Sequence, residues 1–267
     1  MTINGIQKII DNSGNTLHSQ VITFLRSLGW YILVSPYYND NQTAKPREID
    51  IIAEKRLDVI EWEQRYGFLI IQLFIECKYI NNSIVFWFDN KNTNAAEDMI
   101  VNNTCLPHHK DNITIDQHHH FEDKKVAKLF SSSASLQKLH ENEEFYRALN
   151  QTLNGMVYYK NRGGFSINPK PIRERYKQEV IHYPIILCNN FEKIFRINIG
   201  EDKYSKLEDN YFELEVNYSY ITNGSQEHNE YFLIDVVDFT KFEEYLKKLA
   251  GSDFKIIQNY LRNEWGS

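Results

Sequence analysis

Glu76-Cys77-Lys78 closes the apolar run Leu69-Ile70-Ile71-Gln72-Leu73-Phe74-Ile75. Side chains alternate faces on a β-strand, so Glu76 and Lys78 point one way and Cys77 the other. A carboxylate and an ammonium two residues apart at the end of a buried strand call for a reason. Asp50 stands in a second strand-like run, Glu48-Ile49-Asp50-Ile51-Ile52-Ala53. Two acids for a divalent metal and a lysine for a water or a phosphate are the minimum equipment for hydrolysing a phosphodiester. The competing reading of the same residues is an ion-pair cluster at a sheet edge.

These residues must be positioned by the elements around them. A short helix is expected over residues 3–11. Leu17, Val21, Phe24, Leu25 and Leu28 then recur at helical spacing, and Gly29 is placed to end that helix in the left-handed conformation. Trp30 to Val34 reads as a strand, and a charged connection over 55–66 separates the Asp50 strand from the Glu76 strand. Residues 81–123 hold one strand-like run, Ile84 to Phe88, and otherwise read as an irregular insertion. From 124 to 160 the helical period returns, with Val126, Leu129 and Phe130 as one stripe and Phe145, Ala148, Leu149, Leu153, Met156 and Val157 as another. Strands are expected at 181–188, 193–199, 211–221 and 231–237. Asn223-Gly224 is a turn signal too far from the last of them for a tight two-residue hairpin. A helix with the capping box Thr240-x-x-Glu243 and a stop at Gly251 follows, and a second starts near Ser252. This order describes an α/β or α+β layered domain with a mixed sheet.

Composition narrows the class. The chain has 267 residues, 42% of them hydrophobic and 25% charged, enough for a sizeable core. No apolar stretch reaches the roughly 20 residues of a membrane span. No secretory signal is visible at the N-terminus, and three widely spaced cysteines make no disulfide framework, so a reducing cytoplasm is expected. The net charge of −6 excludes a general polyanion coat but leaves room for a local basic patch. One patch stands out. Lys160, Arg162, Lys170, Arg173, Arg175 and Lys177 face a single acid, Glu174, in a stretch marked as a loop by Gly163-Gly164, Pro169 and Pro171. It reads either as a solvated loop or as a phosphate-contacting edge.

The order helix, strand, strand with Asp50, strand with Glu76-x-Lys78, then helix resembles the core of the PD-(D/E)xK nuclease superfamily. Its matching text is Arg47-Glu48-Ile49-Asp50-Ile51-Ile52-Ala53 and Phe74-Ile75-Glu76-Cys77-Lys78. The resemblance covers residues 15–80 and, more loosely, 124–190. It implies one restriction-endonuclease-like domain over 1–267, with a central mixed β-sheet flanked by helices. Residues 81–123 would be an inserted loop region, and 190–267 a C-terminal extension of the sheet with closing helices. It implies Mg²⁺ or Mn²⁺ held by Asp50, Glu76 and the Cys77 carbonyl, with Lys78 orienting a water or stabilising charge. The expected activity is a metal-dependent endonuclease, a hydrolase acting on nucleic acid, with DNA as the substrate, a homodimer as one arrangement and defence as the setting. Glu48 is either an added ligand or a salt-bridge partner of Arg47 or Lys55. His18 and Gln20 stand where many such proteins carry a glutamate, which speaks against a second metal there. Gln151 either faces the groove or faces solvent.

Two readings compete with the enzyme. One is the same fold, catalytically idle, gripping nucleic acid or a protein. The other is a zinc-stabilised interaction protein built on Cys105, His108, His109, His118, His119 and His120. The spacing of that stretch matches no common finger, and three consecutive histidines are not expected to aim at one metal, so it reads first as a polar loop. Asp235, in an apolar strand, reads as a hydrogen-bonded structural acid.

Overall fold

Leu17, Val21 and Leu25 form the buried stripe of the first described helix, α1 (Asn15–Ser27). Gly29 ends it at φ +78°, where a Cβ would be strained, and turns the chain into strand β1 (Tyr31–Val34). The computed structural model describes residues 10, 15–41, 43–62, 65–108, 115–132, 143–161, 166–167, 176–222 and 226–266. The helix expected at 3–11 lies almost wholly outside them.

Two short strands, β2 (Tyr37–Asn39) and β3 (Pro46–Glu48), pair with each other and lead to β4 (Ile51–Trp62) and β5 (Arg65–Lys78). The charged connection expected over 55–66 is therefore strand: β4 and β5 form one long antiparallel hairpin with a register shift between Asp58 and Ile60. Polar side chains there hid the strand from a pattern search, because its pairing is made by backbone.

The rest of the sheet comprises β6 (Ile84–Asn90), β7 (Lys125–Ser132), β8 (Tyr176–Cys188), β9 (Ile194–Asn198), β10 (Tyr204–Lys206), β11 (Tyr211–Thr222) and β12 (Gln226–Asp238). Its ten strands lie in the order β1-β4-β5-β8-β12-β11-β7-β6-β9-β10, with parallel and antiparallel neighbours mixed. Helices α2 (Thr93–Asn103), α3 (Glu143–Lys160), α4 (Phe242–Gly251) and α5 (Asp253–Gly266) complete a mixed α/β architecture. Central β5 lies between β4 and parallel β8. It is buried on both faces, which is why Leu69 to Ile75 reads as a continuous apolar run.

Further expectations change. Val126, Leu129 and Phe130 lie on strand β7, not on a helix; Val126 and Ala127 are buried and pair with Asp89 and Phe88. A short run with apolar residues three and four apart fits either period, and pairing decided it. Within 81–123 the strand expected at Ile84 to Phe88 is present as β6 and joins the sheet, while helix α2 stands where irregular structure was expected. The last strand starts at Gln226, before the expected 231, and pairs there with Thr222; residues 223–225 lie outside the described set. Thr240 does not cap α4: it donates to Asp238 from a 3-10 turn (Phe239–Lys241).

The sheet separates two cores. Alternate residues of β5, Leu69, Ile71, Leu73 and Ile75, face α1, α2, α4 and α5. Phe74 faces α3 on the other side, with Ile49 and Ile52. Gly155 of α3 is the close approach: a Cβ there would stand 3.2 Å from Ile49 Cδ1. Gly155→Leu should therefore push α3 off the strand beside it and cost about 1–3 kcal/mol in a urea titration.

His182 of β8 packs against Phe74, with ring centroids 5.7 Å apart and the rings tilted by 40°. Burial pushes its pKa down to about 3, helped by the Lys160 charge. A histidine held neutral in the folded state keeps its full contribution above about pH 6.5 and loses it as pH falls toward that lowered value. His182→Phe should thus remove roughly 2–4 kcal/mol of acid-induced destabilisation between those limits, read as a flatter stability–pH curve.

Candidate active site

Asp50 occupies the break between β3 and β4, one residue before the hairpin pairing begins at Ile51 and Ile75. That register sets it beside the end of β5. The Cys77 amide donates to Asp50 Oδ2 at 2.8 Å, and the Asp50 amide donates to Glu76 Oε1 at 3.2 Å. Lys78 Nζ stands 4.0 Å from Glu76 Oε2. The three residues singled out from sequence are therefore brought together.

Glu76 is 1% exposed. Burial, then the negative charge of Asp50, holds its pKa well above the usual carboxylate range, against the opposing pull of Lys78. Asp50 is only partly buried, and the Lys78 side chain is 23% exposed, so the cluster reaches solvent through those two residues. The Cys77 side chain packs into the opposite core, as strand alternation requires, and burial first of all raises its thiol pKa.

Neighbouring groups fix this arrangement through the backbone. His18 Nε2 lies 2.8 Å from the Asp50 carbonyl, which also accepts from the Ser35 amide at 2.9 Å. Gln151 of α3 donates to the Glu48 carbonyl at 2.8 Å, so it faces the sheet and not solvent. Glu48 is half-buried, and its charge adds to the field that raises the Glu76 pKa. Arg47 pairs with Asp40, at 3.7 Å. Sequence reasoning missed Tyr38. It is 2% exposed, its hydroxyl has no hydrogen-bond partner among the described residues, and after burial the Glu76 charge pushes its pKa up.

The donor set suits a hard cation. Asp50 and Glu76 offer carboxylate oxygens, the ligands that magnesium and manganese prefer. The buried Tyr38 hydroxyl, without a hydrogen-bond partner among the described residues, is a further polar group that feels the Glu76 charge.

Comparison with known protein families, curated proteins and solved structures found no match. Chemistry has to be read from the residues alone.

Two residues of the basic stretch are described. Lys160, at the end of α3, bonds Asn103 Oδ1 at 2.5 Å and pairs with Glu230 at 3.6 Å. Lys177 is exposed at the start of β8. Arg162, Lys170, Arg173 and Arg175 lie outside the described residues. Ser166 and Ile167, the described part of the loop, are tied to the buried carboxylate of Glu54 at 2.6 and 2.8 Å.

The histidine stretch overturns its reading as a polar loop. His118, His119 and His120 are 1–3% exposed, in a 3-10 turn (His119–Phe121) and its N-cap. Asp235 is a hydrogen-bonded buried acid, as expected, but its partners are His119 and Tyr245. Ring nitrogens of all three histidines lie within 4.8 Å of one another, so consecutive histidines do converge, because the tight turn folds them onto one spot. His119, His120, Glu213 and Asp235 form a second such group, which could hold a metal ion. Cys105 and His108 belong to neither; His108 pairs with Glu97, and His109 lies outside the described residues. Glu213, Asp253 and Lys91 were missed. An acid between Phe212 and Leu214 in an apolar strand was the one available signal.

No described helix is long and apolar enough to cross a membrane. Cys77, Cys105 and Cys188 are all free.

Proposed function

We propose that this chain is a metal-dependent nuclease of the restriction-endonuclease-like fold, a PD-(D/E)xK enzyme that hydrolyses phosphodiester bonds in DNA. One observation carries the reading: the hydrogen-bonded juncture of Asp50 with the Glu76-Cys77-Lys78 strand end, on the face that α3 covers. The helix, hairpin, helix and parallel strand around it (α1, β4–β5, α3, β8) support it by their order.

Asp50, Glu76 and the Cys77 carbonyl would hold Mg²⁺ or Mn²⁺. When bound, such an ion lowers the pKa of a coordinated water and offsets charge on the phosphate. The chain does the rest. The His18 ring and the Ser35 amide fix the Asp50 backbone, so its carboxylate stays aimed. Burial keeps Glu76 short of water and eager for a cation. Lys78, reaching solvent beside Glu76, orients the attacking water or takes up the extra negative charge of the pentacovalent phosphorus.

The test is a substrate panel. Plasmid, linear duplex, single-stranded DNA and RNA are incubated with Mg²⁺ or Mn²⁺, with a Lys78→Ala protein alongside. Metal-dependent cleavage of DNA by the parent protein alone supports the reading. Binding of DNA without cleavage under every metal would favour the idle module on the same fold.

A further inference from the structure

Glu213 of β11 and Asp235 of β12 stand directly opposite each other on neighbouring antiparallel strands, 2% and 0% exposed. Like charges facing across a ladder repel, and burial makes that worse. The turn carrying His119 and His120 sits over this pair. His119 Nε2 is 3.1 Å from Asp235 Oδ2, His120 Nδ1 is 2.9 Å from Glu213 Oε1, and His120 Nδ1 is 4.0 Å from Asp235 Oδ1. Zinc bonds of about 2.0–2.2 Å in a tetrahedron separate neighbouring donors by about 3.4 Å. These spacings scatter around that value.

The outer partners are arranged as ligands' supports. His119 turns its other nitrogen, Nδ1, to Asp253 at 2.5 Å, leaving Nε2 for the cluster. A second hydrogen bond of this kind fixes the tautomer and aims the ring of a metal-bound histidine. Tyr245 donates to Asp235 at 2.7 Å, Tyr183 donates to Asp253 at 3.1 Å, and Lys91 pairs with Glu213.

Charge points the same way. Glu213, Asp235 and Asp253 bring three buried carboxylates. Lys91 offsets one. A divalent ion would balance the other two, and a neutral group is the cheaper state for an interior without water.

We propose that His119, His120, Glu213 and Asp235 form a closed structural site for a divalent transition metal, with zinc as the ion. Imidazole and carboxylate donors without thiolate also accept manganese, iron, cobalt and nickel, so the test must tell these apart. The site is separate from the Asp50–Glu76 juncture. Its side chains belong to the core that α4 and α5 cover, whereas Glu76 faces α3. Sealed from solvent, it would fasten the turn at 118–121 and α5 onto the sheet, and perform no catalysis.

The experiment uses untagged full-length protein from metal-supplemented cells, purified without chelator. Elemental analysis covering zinc, manganese, iron, cobalt and nickel should find about one zinc per chain. X-ray absorption at the zinc edge should show four nitrogen or oxygen ligands and no sulfur. A strong chelator should lower Tm, and zinc should restore it. His120→Ala and Glu213→Gln should reduce bound metal at least ~10-fold. Asp50→Ala should keep it, so loss of cleavage and loss of this ion remain separable. One equivalent of another of these metals, with the same ligand signature, would support the site and replace zinc as its ion. Should either variant fail to fold, the absorption spectrum and the chelator response of the parent protein decide. Parent protein without bound metal, and with a Tm indifferent to chelator and zinc, overturns the proposal and leaves a proton-held ion network. Metal retained in full by both folded variants overturns it as well.

Discussion

Lys78→Ala protein folds normally and loses about 10³-fold or more of its metal-dependent DNA cleavage. The expectation follows from where the ammonium sits. Among the described residues its charge partner is Glu76 at 4.0 Å, too long for a hydrogen bond, and its side chain is partly exposed. A pair this loose contributes about 1 kcal/mol at most to stability. The same ammonium stands beside the Asp50–Glu76 juncture, where an attacking water and a phosphate would have to lie. Removing it leaves the developing charge of the reaction without an offset, while the backbone bonds that join Asp50 to Cys77 and Glu76 remain. Asp50→Ala should lose as much activity. Combining the two should cost little more than either alone, because residues that act as a unit are not additive. Plasmid nicking gives the rates, and thermal unfolding checks the fold. A Lys78→Ala rate within about twofold of the parent's would remove the lysine from the mechanism.

Asp253→Ala is expected to be the most damaging single substitution for stability, at about 3–5 kcal/mol. Asp253 is fully buried at the start of α5. Its carboxylate accepts from the His119 amide at 2.9 Å, from His119 Nδ1 and from Tyr183, and lies 3.1 Å from His118 Nε2. Burial alone would raise its pKa, but the charges and hydrogen bonds of His118 and His119 overcome that and hold it far below the usual carboxylate range. Alanine would strand these donors in a dry interior, each with an unmet desolvation cost. Asp253→Asn keeps one acceptor oxygen and should lose less. Glu243→Ala, at an exposed pair with Lys247, should change stability by less than about 1 kcal/mol. Urea titrations of the three proteins make the comparison. A loss under about 1 kcal/mol for Asp253→Ala would mean that the network does not hold the fold.

What the sequence determined by itself was everything carried by a clear period or a strained backbone position. The stripe Leu17, Val21, Leu25 and the glycine after it specified α1 and its end, because apolar spacing and positive φ are local properties. The apolar run before Glu76 specified a strand buried on both faces. The alternation rule then put Glu76 and Lys78 on one side, with Cys77 on the other. The Thr222–Gln226 register and the strand character of 55–62 and 125–132 were not legible, since backbone pairing with distant partners outweighed weak local patterns. Which acids meet which histidines was decided only by tertiary structure. Glu213, Asp235 and Asp253 are far apart in the chain, and each looks like an isolated polar residue. Only the pairing of β11 with β12, and the docking of α5 beneath a tight turn, bring their charges within bonding distance of His118, His119 and His120. Electrostatic contacts act through space, and a linear pattern records them only where the chain itself brings the partners close.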